Sequence, residues 1–352
     1  MRVGPIVALM AAGLWLGADG GASVNSVVAT VRSAIRKKHR DADVAAALDK
    51  MKLAERLEDR VIEELESEGA GPQTLGALQH MRDQSRLLEP PAGPPPGMIP
   101  PPAPSAVEEY RVWQDTRSNS LDYTESLPDF ICTETIHRWT DPEGNENWQA
   151  APTIVAELTF FERKESYQAI AVAGQPAAGE SILDVGGATS QGEFGTMLAT
   201  IFNPALETEY RWDHWTTLRK RPTYVYRFRI SNAHGPHRLR FGVEGKGQVT
   251  IAVGLDGYVY IDRESNRVTR ISEEDRDIPA GFPVQKATTV LDYDYGAIGG
   301  RQYLLPLRAE VRVDVGKLQS LNTVEFQAYR KFASDATVKF GDAVPDQAPV
   351  RK

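Results

Sequence analysis

Between residues 23 and 89 the apolar residues recur at intervals of three and four, which is the spacing of amphipathic helices. We predict a first helix over Val24–Ile35, a second between Asp41 and Gly69, and a third that Pro72 opens. Helices this short bury their apolar stripes only against each other or against a partner. The helical module is therefore either a small three-helix bundle or a docking or dimerisation element.

Residues 90–105 separate this helical module from the rest of the chain. Nine of the fifteen positions from Pro90 to Pro104 are proline. Because proline has no backbone N–H and its φ is fixed, the stretch can join neither a helix interior nor a sheet interior. We predict an extended, semi-rigid linker between two modules.

From residue 106 to residue 341 apolar and polar positions mainly alternate, which predicts a β-rich domain. Such alternation gives each strand one buried and one solvated face, so we expect antiparallel strands in meander order. Two stretches keep a helical spacing instead, Val107–Leu121 and Gly192–Phe202. The clearest predicted strands are Ile154–Phe160, Tyr224–Ile230, Leu239–Val243, Val249–Val253, Val311–Val315 and Val324–Ala328.

Glycine and polar residues predict the turns of this domain. Gly254–Gly257 precedes Tyr258 and Tyr260, which predicts a hairpin, and Asp262–Asn266 makes the next turn. The predicted fold class is α+β: a module of short helices, a proline-rich linker, and a large curved antiparallel sheet packed on one or two helices. Residues 342–352 are expected to form a disordered tail.

The composition excludes some partners. The chain has 352 residues, enough for about two domains, and is 41% apolar and 25% charged, as in soluble globular proteins. Its net charge of −8 and its sequence pI of about 5.4 argue against nucleic acid as a partner. The basic cluster Arg36–Arg40 is either a solvated helix face or a site for phosphate or anionic lipid.

Residues 1–22 have the plan of a secretory signal peptide. A positive start is followed by the apolar stretch Val3–Leu16 and by small residues, with Ala18 and Ala22 as candidate cleavage ends. We therefore expect a periplasmic or secreted protein without a transmembrane span in the mature chain. Cleavage of the signal peptide and its retention as an anchor both stay open.

The chain has a single cysteine, Cys132, so an intramolecular disulfide is impossible. It follows Phe130 and Ile131 at the start of an apolar strand, where a cysteine is usually a small buried hydrophobe. The alternative is a nucleophile or an intermolecular thiol.

No catalytic signature is present, and we expect neither a cofactor nor a metal. Ser190 or Gln191 precedes a predicted helix and is interpreted as its N-cap. A secreted hydrolase with a site among Asp213, His214, His234 and His237 remains an alternative, provided that the fold brings these side chains together.

Other polar and aromatic residues of the β-rich domain have structural interpretations. Asp292 and Asp294 alternate with apolar neighbours, so we interpret them as solvated partners of arginines on neighbouring strands. Tyr210, Trp212 and Trp215 are either the edge of a core or a platform for sugar rings.

Several stretches of the β-rich domain resemble periplasmic lipoprotein carriers and sigma-regulator proteins. They are Gly257–Asp262, Arg267–Ile271, Ile278–Pro279, Phe282–Pro283, Gln302–Pro306, Phe326–Tyr329, Phe332 and Val338–Phe340. The resemblance covers residues 107–340 and implies an unclosed β-barrel around helices, with an apolar cavity for acyl chains and no catalytic residues. The helical module, the linker and the segment Gly174–Gly192 depart from it. The opening of the domain, Val112–Cys132, also resembles uncharacterised exported bacterial proteins.

These observations favour a non-enzymatic binding protein of the cell envelope, which holds an apolar or acylated, lipid-like ligand in a half-barrel cavity. The alternating residues that would line the cavity, or belong to the core, are Tyr224, Tyr226, Phe228, Phe241 and Ile251. The first alternative is an interaction or scaffold protein that binds an envelope protein through the helical module. The second is the hydrolase described above.

Overall fold

A computed structural model describes residues 21–91, 101–145, 147–177, 193–234, 237–243 and 247–332. Nearly all of the predicted signal peptide, most of the predicted linker and the whole predicted tail lie outside the described residues. The chain divides into two compact units, residues 1–103 with 214–224 and residues 104–213 with 225–352. No helix among the described residues is long and apolar enough to cross a membrane.

The helical module contains four described helices: α1 Val24–Arg36, α2 Asp41–Leu48, α3 Asp59–Glu68 and α4 Pro72–Gln84. The predicted first and third helices are confirmed, and Gly69 ends α3 in the left-handed conformation, with φ of 107°. The side chain of Ser23 caps α1 by accepting a hydrogen bond from the Ser26 amide.

The prediction of one long second helix is wrong, because the chain leaves helical conformation between α2 and α3. There the Ala22 amide donates to the Lys52 carbonyl at 2.7 Å, and the Ala54 amide donates to the Ala22 carbonyl at 3.0 Å. The Leu57 amide donates to the Ser85 hydroxyl at 3.0 Å. These bonds to distant segments replace the helical bonds that the apolar spacing suggested.

The apolar stripes of the helices pack against one another. Their buried members form one core: Val24, Val27, Val28, Val31, Leu48, Leu57, Val61, Ile62, Leu65, Leu75, Leu78 and Met81. Asp41, at the start of α2, also accepts hydrogen bonds from the backbone amides of Gln73 and Thr74 in the first turn of α4. The module thus has its own core, as a bundle requires, while docking of a partner stays a prediction.

The β-rich part has three described helices, α5 Ala106–Leu121, α6 Tyr123–Ser126 and α7 Thr196–Phe202. The predicted helix over Val107–Leu121 is confirmed. The other predicted helix forms from Thr196 onward, because Gly195 before it has a φ of 140°, which is outside the helical region. The predicted N-caps Ser190 and Gln191 lie outside the described residues.

Twelve strands within the described ranges form one antiparallel, curved sheet that does not close, in the order β4-β3-β2-β1-β12-β11-β10-β9-β8-β6-β5, with β7 paired to β8. The strands are β1 Phe130–Asp141, β2 Gln149–Phe161, β3 Lys164–Val172, β4 Gln175–Pro176, β5 Glu209–Leu218, β6 Arg221–Ile230, β7 His237–Val243, β8 Gly247–Asp262, β9 Val268–Arg276, β10 Val284–Ile298, β11 Arg301–Val315 and β12 Leu318–Lys331. The predicted α+β class with an open, curved antiparallel sheet is confirmed.

The predicted hairpin turn at Gly254–Gly257 is wrong, because β8 runs straight through it. Both glycines lie where another backbone comes close. A Cβ on Gly257 would lie 2.0 Å from the Ser272 carbonyl oxygen, and one on Gly254 would lie 2.9 Å from the Ile230 carbonyl oxygen. These glycines allow close strand approach rather than a turn. The predicted turn at Asp262–Asn266 is confirmed between β8 and β9.

Candidate functional site

One side of the sheet carries apolar residues from strand to strand, and we call it the inner face. On β1 it starts at Phe130 and continues through every second residue to Ile136. The residues paired with these positions continue the inner face across β2, β12, β11, β10, β9 and β8. Its buried apolar members include Phe130, Cys132, Ile136, Ile154, Leu158, Phe160, Val324, Phe326, Ala309, Val311, Leu291, Ile271 and Val259. This continuous apolar surface is the candidate binding site.

Aromatic side chains from helices and connecting segments lie on the inner face. Phe194, which precedes α7, has its ring centroid 5.1 Å from that of Phe130 and 5.7 Å from that of Phe326. Tyr123 of α6 packs edge-on against Tyr293 of β10, at 5.9 Å between centroids, and donates a hydrogen bond to the Leu304 carbonyl. The helices therefore cover this face, as predicted for an open barrel.

Two of the predicted lining residues, Tyr226 and Phe228, lie on β6 and are fully buried. The indole of Trp113 on α5 lies 5.9 Å from the ring of Tyr226, between centroids. A Cβ on Gly257 would lie 3.0 Å from the ring of Phe228. In this structure both side chains are therefore part of the packed core.

The remaining predicted lining residues lie elsewhere. Tyr224 is buried against Trp215, at 4.6 Å between ring centroids, within the first unit. Phe241 and Ile251 lie on the paired strands β7 and β8 and are half-buried. Phe241 packs edge-on against Phe282 at 6.3 Å. Binding of a ligand by any of the five stays a prediction.

Sequence reasoning missed a group of carboxylates on the inner face. Glu134 of β1 is 2% exposed and lies between Ala156 of β2 and Phe326 of β12. Burial and the nearby carboxylates of Glu193 and Glu165 raise the pKa of Glu134 to about 8. The signal was present in the alternation, because Glu134 occupies a position of the apolar phase of β1.

The hydroxyl of Tyr167 joins two of these carboxylates. It lies 3.0 Å from a carboxylate oxygen of Glu193 and within hydrogen-bond distance of Glu165. The backbone of Glu193 is fixed as well, because its carbonyl accepts a hydrogen bond from the Tyr293 hydroxyl at 2.9 Å.

Strand β9 places two more acids on the inner face, Glu273 and Asp275, in phase with Ile271. Burial, followed by the charge of Asp275, raises the pKa of Glu273 to about 8. Burial, followed by the charge of Glu274, raises the pKa of Asp275 to about 7. Near neutral pH these groups therefore carry a proton much more often than ordinary carboxyls do.

The other side of the sheet carries cross-strand pairs of arginine and aspartate, as predicted. The carboxylate of Asp292 lies 2.7 Å from the guanidinium of Arg270 and 2.8 Å from that of Arg308. The expectation that Asp292 is solvated is wrong, because Asp292 is only 1% exposed between Arg270 of β9 and Arg308 of β11. Arg227 and Asp256 form a similar pair at 2.7 Å.

The residues of the hydrolase alternative do not form a site among the described side chains. The His214 ring lies 3.3 Å from the carboxylate of Glu63 on α3. Asp213 is its direct neighbour on β5, so the two side chains point to opposite faces of the strand. The side chains of His234 and His237 lie outside the described residues. In the described part of the chain no group of His, Cys, Asp and Glu could hold a metal.

Cys132 is buried on the inner face, as predicted, and burial raises the pKa of its thiol. A thiol that stays protonated is a poor nucleophile. The expectation of a small buried hydrophobe is confirmed.

No family model matches the chain, and no curated protein matches it. Solved structures do match it, each at 8% identity and over 64% of this chain. A LolA superfamily protein from Nitrosomonas europaea is covered over 93% of its chain, with a TM-score of 0.32. A DUF1329 family protein from Desulfovibrio piger is covered over 94%, with a TM-score of 0.33. The lipoprotein LppX from Mycobacterium tuberculosis is covered over 98%, with a TM-score of 0.23.

Proposed function

We propose that this chain is an exported, non-enzymatic binding protein of the cell envelope, and that it holds an apolar or acylated ligand against the inner face of its half-barrel. The observation that carries the proposal is the continuous apolar inner face of a sheet whose described edge strands, β4 and β5, do not pair with each other. An open sheet leaves its concave side to be filled by helices or by a ligand.

Chemistry of the face supports an apolar ligand. Strands β1, β2 and β12 contribute aliphatic and aromatic side chains such as Ile136, Leu158 and Phe326. Removal of an acyl chain from water onto such a surface is favourable by about 0.8 kcal/mol for each buried CH₂ group. Export through the signal peptide of residues 1–22 would place the protein where lipids and lipoproteins need a carrier.

The test uses the full-length protein after delipidation, titrated with a fluorescent fatty acyl probe. We expect saturable binding of the probe, and co-purified lipid in extracts of the untreated protein by mass spectrometry. Absence of both saturable binding and co-purified lipid would overturn the proposal. An unrelated soluble protein of similar size serves as the control for non-specific adsorption of the probe.

A further inference from the structure

One carboxyl oxygen of Glu134 lacks the hydrogen-bond partner that a buried acid normally has. The Glu134 side chain is 2% exposed, and its Oε2 atom accepts no hydrogen bond from any described residue. Burial of a polar atom without a hydrogen-bond partner is unfavourable, and more so if the atom is charged. Such an unpaired buried atom points to a ligand group that completes it.

The groups around Glu134 are acidic as well. Glu193, at 1% exposure, and the half-buried Glu165 are the two charged neighbours that raise the pKa of Glu134 together with burial. Tyr167 lies between these two carboxylates. A fourth carboxylate, such as that of a fatty acid ligand, would add repulsion at this place.

Small side chains stand beside Glu134 along the sheet. Its partner on β2 is Ala156, and the partner of Ala156 on β3 is Ala169. Both alanines are fully buried on the inner face. The row of the inner face that runs from Glu134 onto β2 and β3 therefore carries short side chains.

We infer that Glu134, together with Glu165, Tyr167 and Glu193, binds the protonated amino group of an amphiphile whose apolar chain lies on the inner face. The inference rests on the proposed function and adds to it the chemical class of the polar end. An ammonium group has three donors and no acceptor, which suits a site that presents carboxylate oxygens and a hydroxyl. Its charge compensates the ionised form of Glu134, which burial otherwise disfavours.

The first test compares three ligands with the same chain on the native full-length protein. Dodecylamine, dodecanol and dodecanoate are titrated calorimetrically at about pH 8.5, where an alkyl amine with a pKa of about 10.4 is still charged. We expect dodecylamine to bind at least about tenfold more tightly than dodecanol, as a charge-assisted hydrogen bond predicts. Dodecanoate should bind most weakly.

A proton count gives a second readout on the native protein. At about pH 7, below the raised pKa of Glu134, most of this carboxyl group is protonated before the ligand arrives. Binding of an ammonium group then drives ionisation, so about one proton should be released for each dodecylamine bound. Titrations in buffers of different ionisation enthalpy measure this release, and dodecanol should release none.

The variant E134Q keeps the shape of the side chain and removes its charge. It should bind dodecanol as the native protein does, lose the preference for dodecylamine and release no proton. The matched control is E157Q, since Glu157 is the neighbouring glutamate on β2, on the opposite side of the sheet, where it pairs with Arg330 at 2.8 Å. This control should keep the amine preference.

The outcomes distinguish failure of the amine site from failure of the proposed function. Equal affinities of the three ligands, or an amine preference that E134Q retains, would overturn the amine site and leave the proposed function standing. Failure of every dodecyl compound to bind would overturn the proposed function as well. Should E134Q not fold, the ligand comparison and the proton release of the native protein still test the amine site.

Discussion

At the scale of single residues, Gly257 shows how the sheet depends on a missing side chain. The glycine lies within β8, and a Cβ there would lie 2.0 Å from the Ser272 carbonyl oxygen and 3.0 Å from the Phe228 ring. A carbon atom so close to a backbone oxygen is sterically forbidden, so β8 and β9 would have to separate. Pairing of β8 with β9 therefore requires a residue without a Cβ atom at position 257.

The variant G257A should lower the free energy of unfolding by about 2 kcal/mol or more, because overpacking against backbone cannot be relieved by a rotamer change. Denaturant unfolding followed by circular dichroism measures the loss. The control is G76A, since Gly76 lies in α4, where an added methyl group would meet nothing within 4 Å. There alanine should stabilise by about 0.5–1 kcal/mol, and a G257A protein of native stability would refute the role given to Gly257.

The same residue explains a failure of the sequence analysis. Glycine and aspartate between alternating residues are typical of a hairpin turn, and Gly254–Gly257 has this pattern. The reason for glycine lies in Ser272, Ile230 and Phe228, which come close only in the folded sheet. Glu134, by contrast, could have been found from its position in the apolar phase of β1.

At the scale of elements, strand β9 links stability to pH through Glu273 and Asp275. Their raised pKa values, about 8 and about 7, mean that the folded protein holds protons that the unfolded chain releases. The stability that these protons supply is fully present below the unfolded pKa values of about 4, and it is lost as pH rises through 7 and 8.

We therefore expect the free energy of unfolding to fall between about pH 5 and about pH 8, by about 1.4 kcal/mol per pH unit for each proton lost on unfolding. E273Q should flatten this slope, because an amide has no proton to lose. E310Q is the control, since Glu310 lies half-buried on β11 and pairs with Arg312 at 2.7 Å. Equal slopes in the native protein and in E273Q would contradict the buried-acid interpretation of β9.

Elements were predictable where a local pattern decides them. The spacing of apolar residues identified α1, α4, α5 and most strands, since each buries one stripe or one face. The break between α2 and α3 was missed, because it depends on hydrogen bonds that join residues 52–57 to the backbone of Ala22 and to the hydroxyl of Ser85. Such bonds leave no periodic signal in the sequence.

At the scale of the whole molecule, alternation was enough to predict a large curved antiparallel sheet with few helices, while the open barrel was what the resemblance of the sequence implied. The pattern could not predict which alternating residues a ligand meets, because a core position and a lining position have the same period. Tyr226 and Phe228 illustrate this, since both alternate as a cavity lining would and both are fully packed in this structure. The unpaired buried carboxyl oxygen of Glu134 singles out the part of the inner face around β1.

The central claim, that an apolar ligand lies on the inner face, is tested most directly by photo-crosslinking of the full-length protein. A dodecyl ligand with a diazirine on its chain is activated after binding, and labelled residues are identified by tandem mass spectrometry. We expect saturable labels on inner-face residues such as Ile136 and Val324, and none on their outer neighbours His137 and Glu325. Labels confined to the outer neighbours or to the helical module, or labelling that does not saturate, would contradict the account.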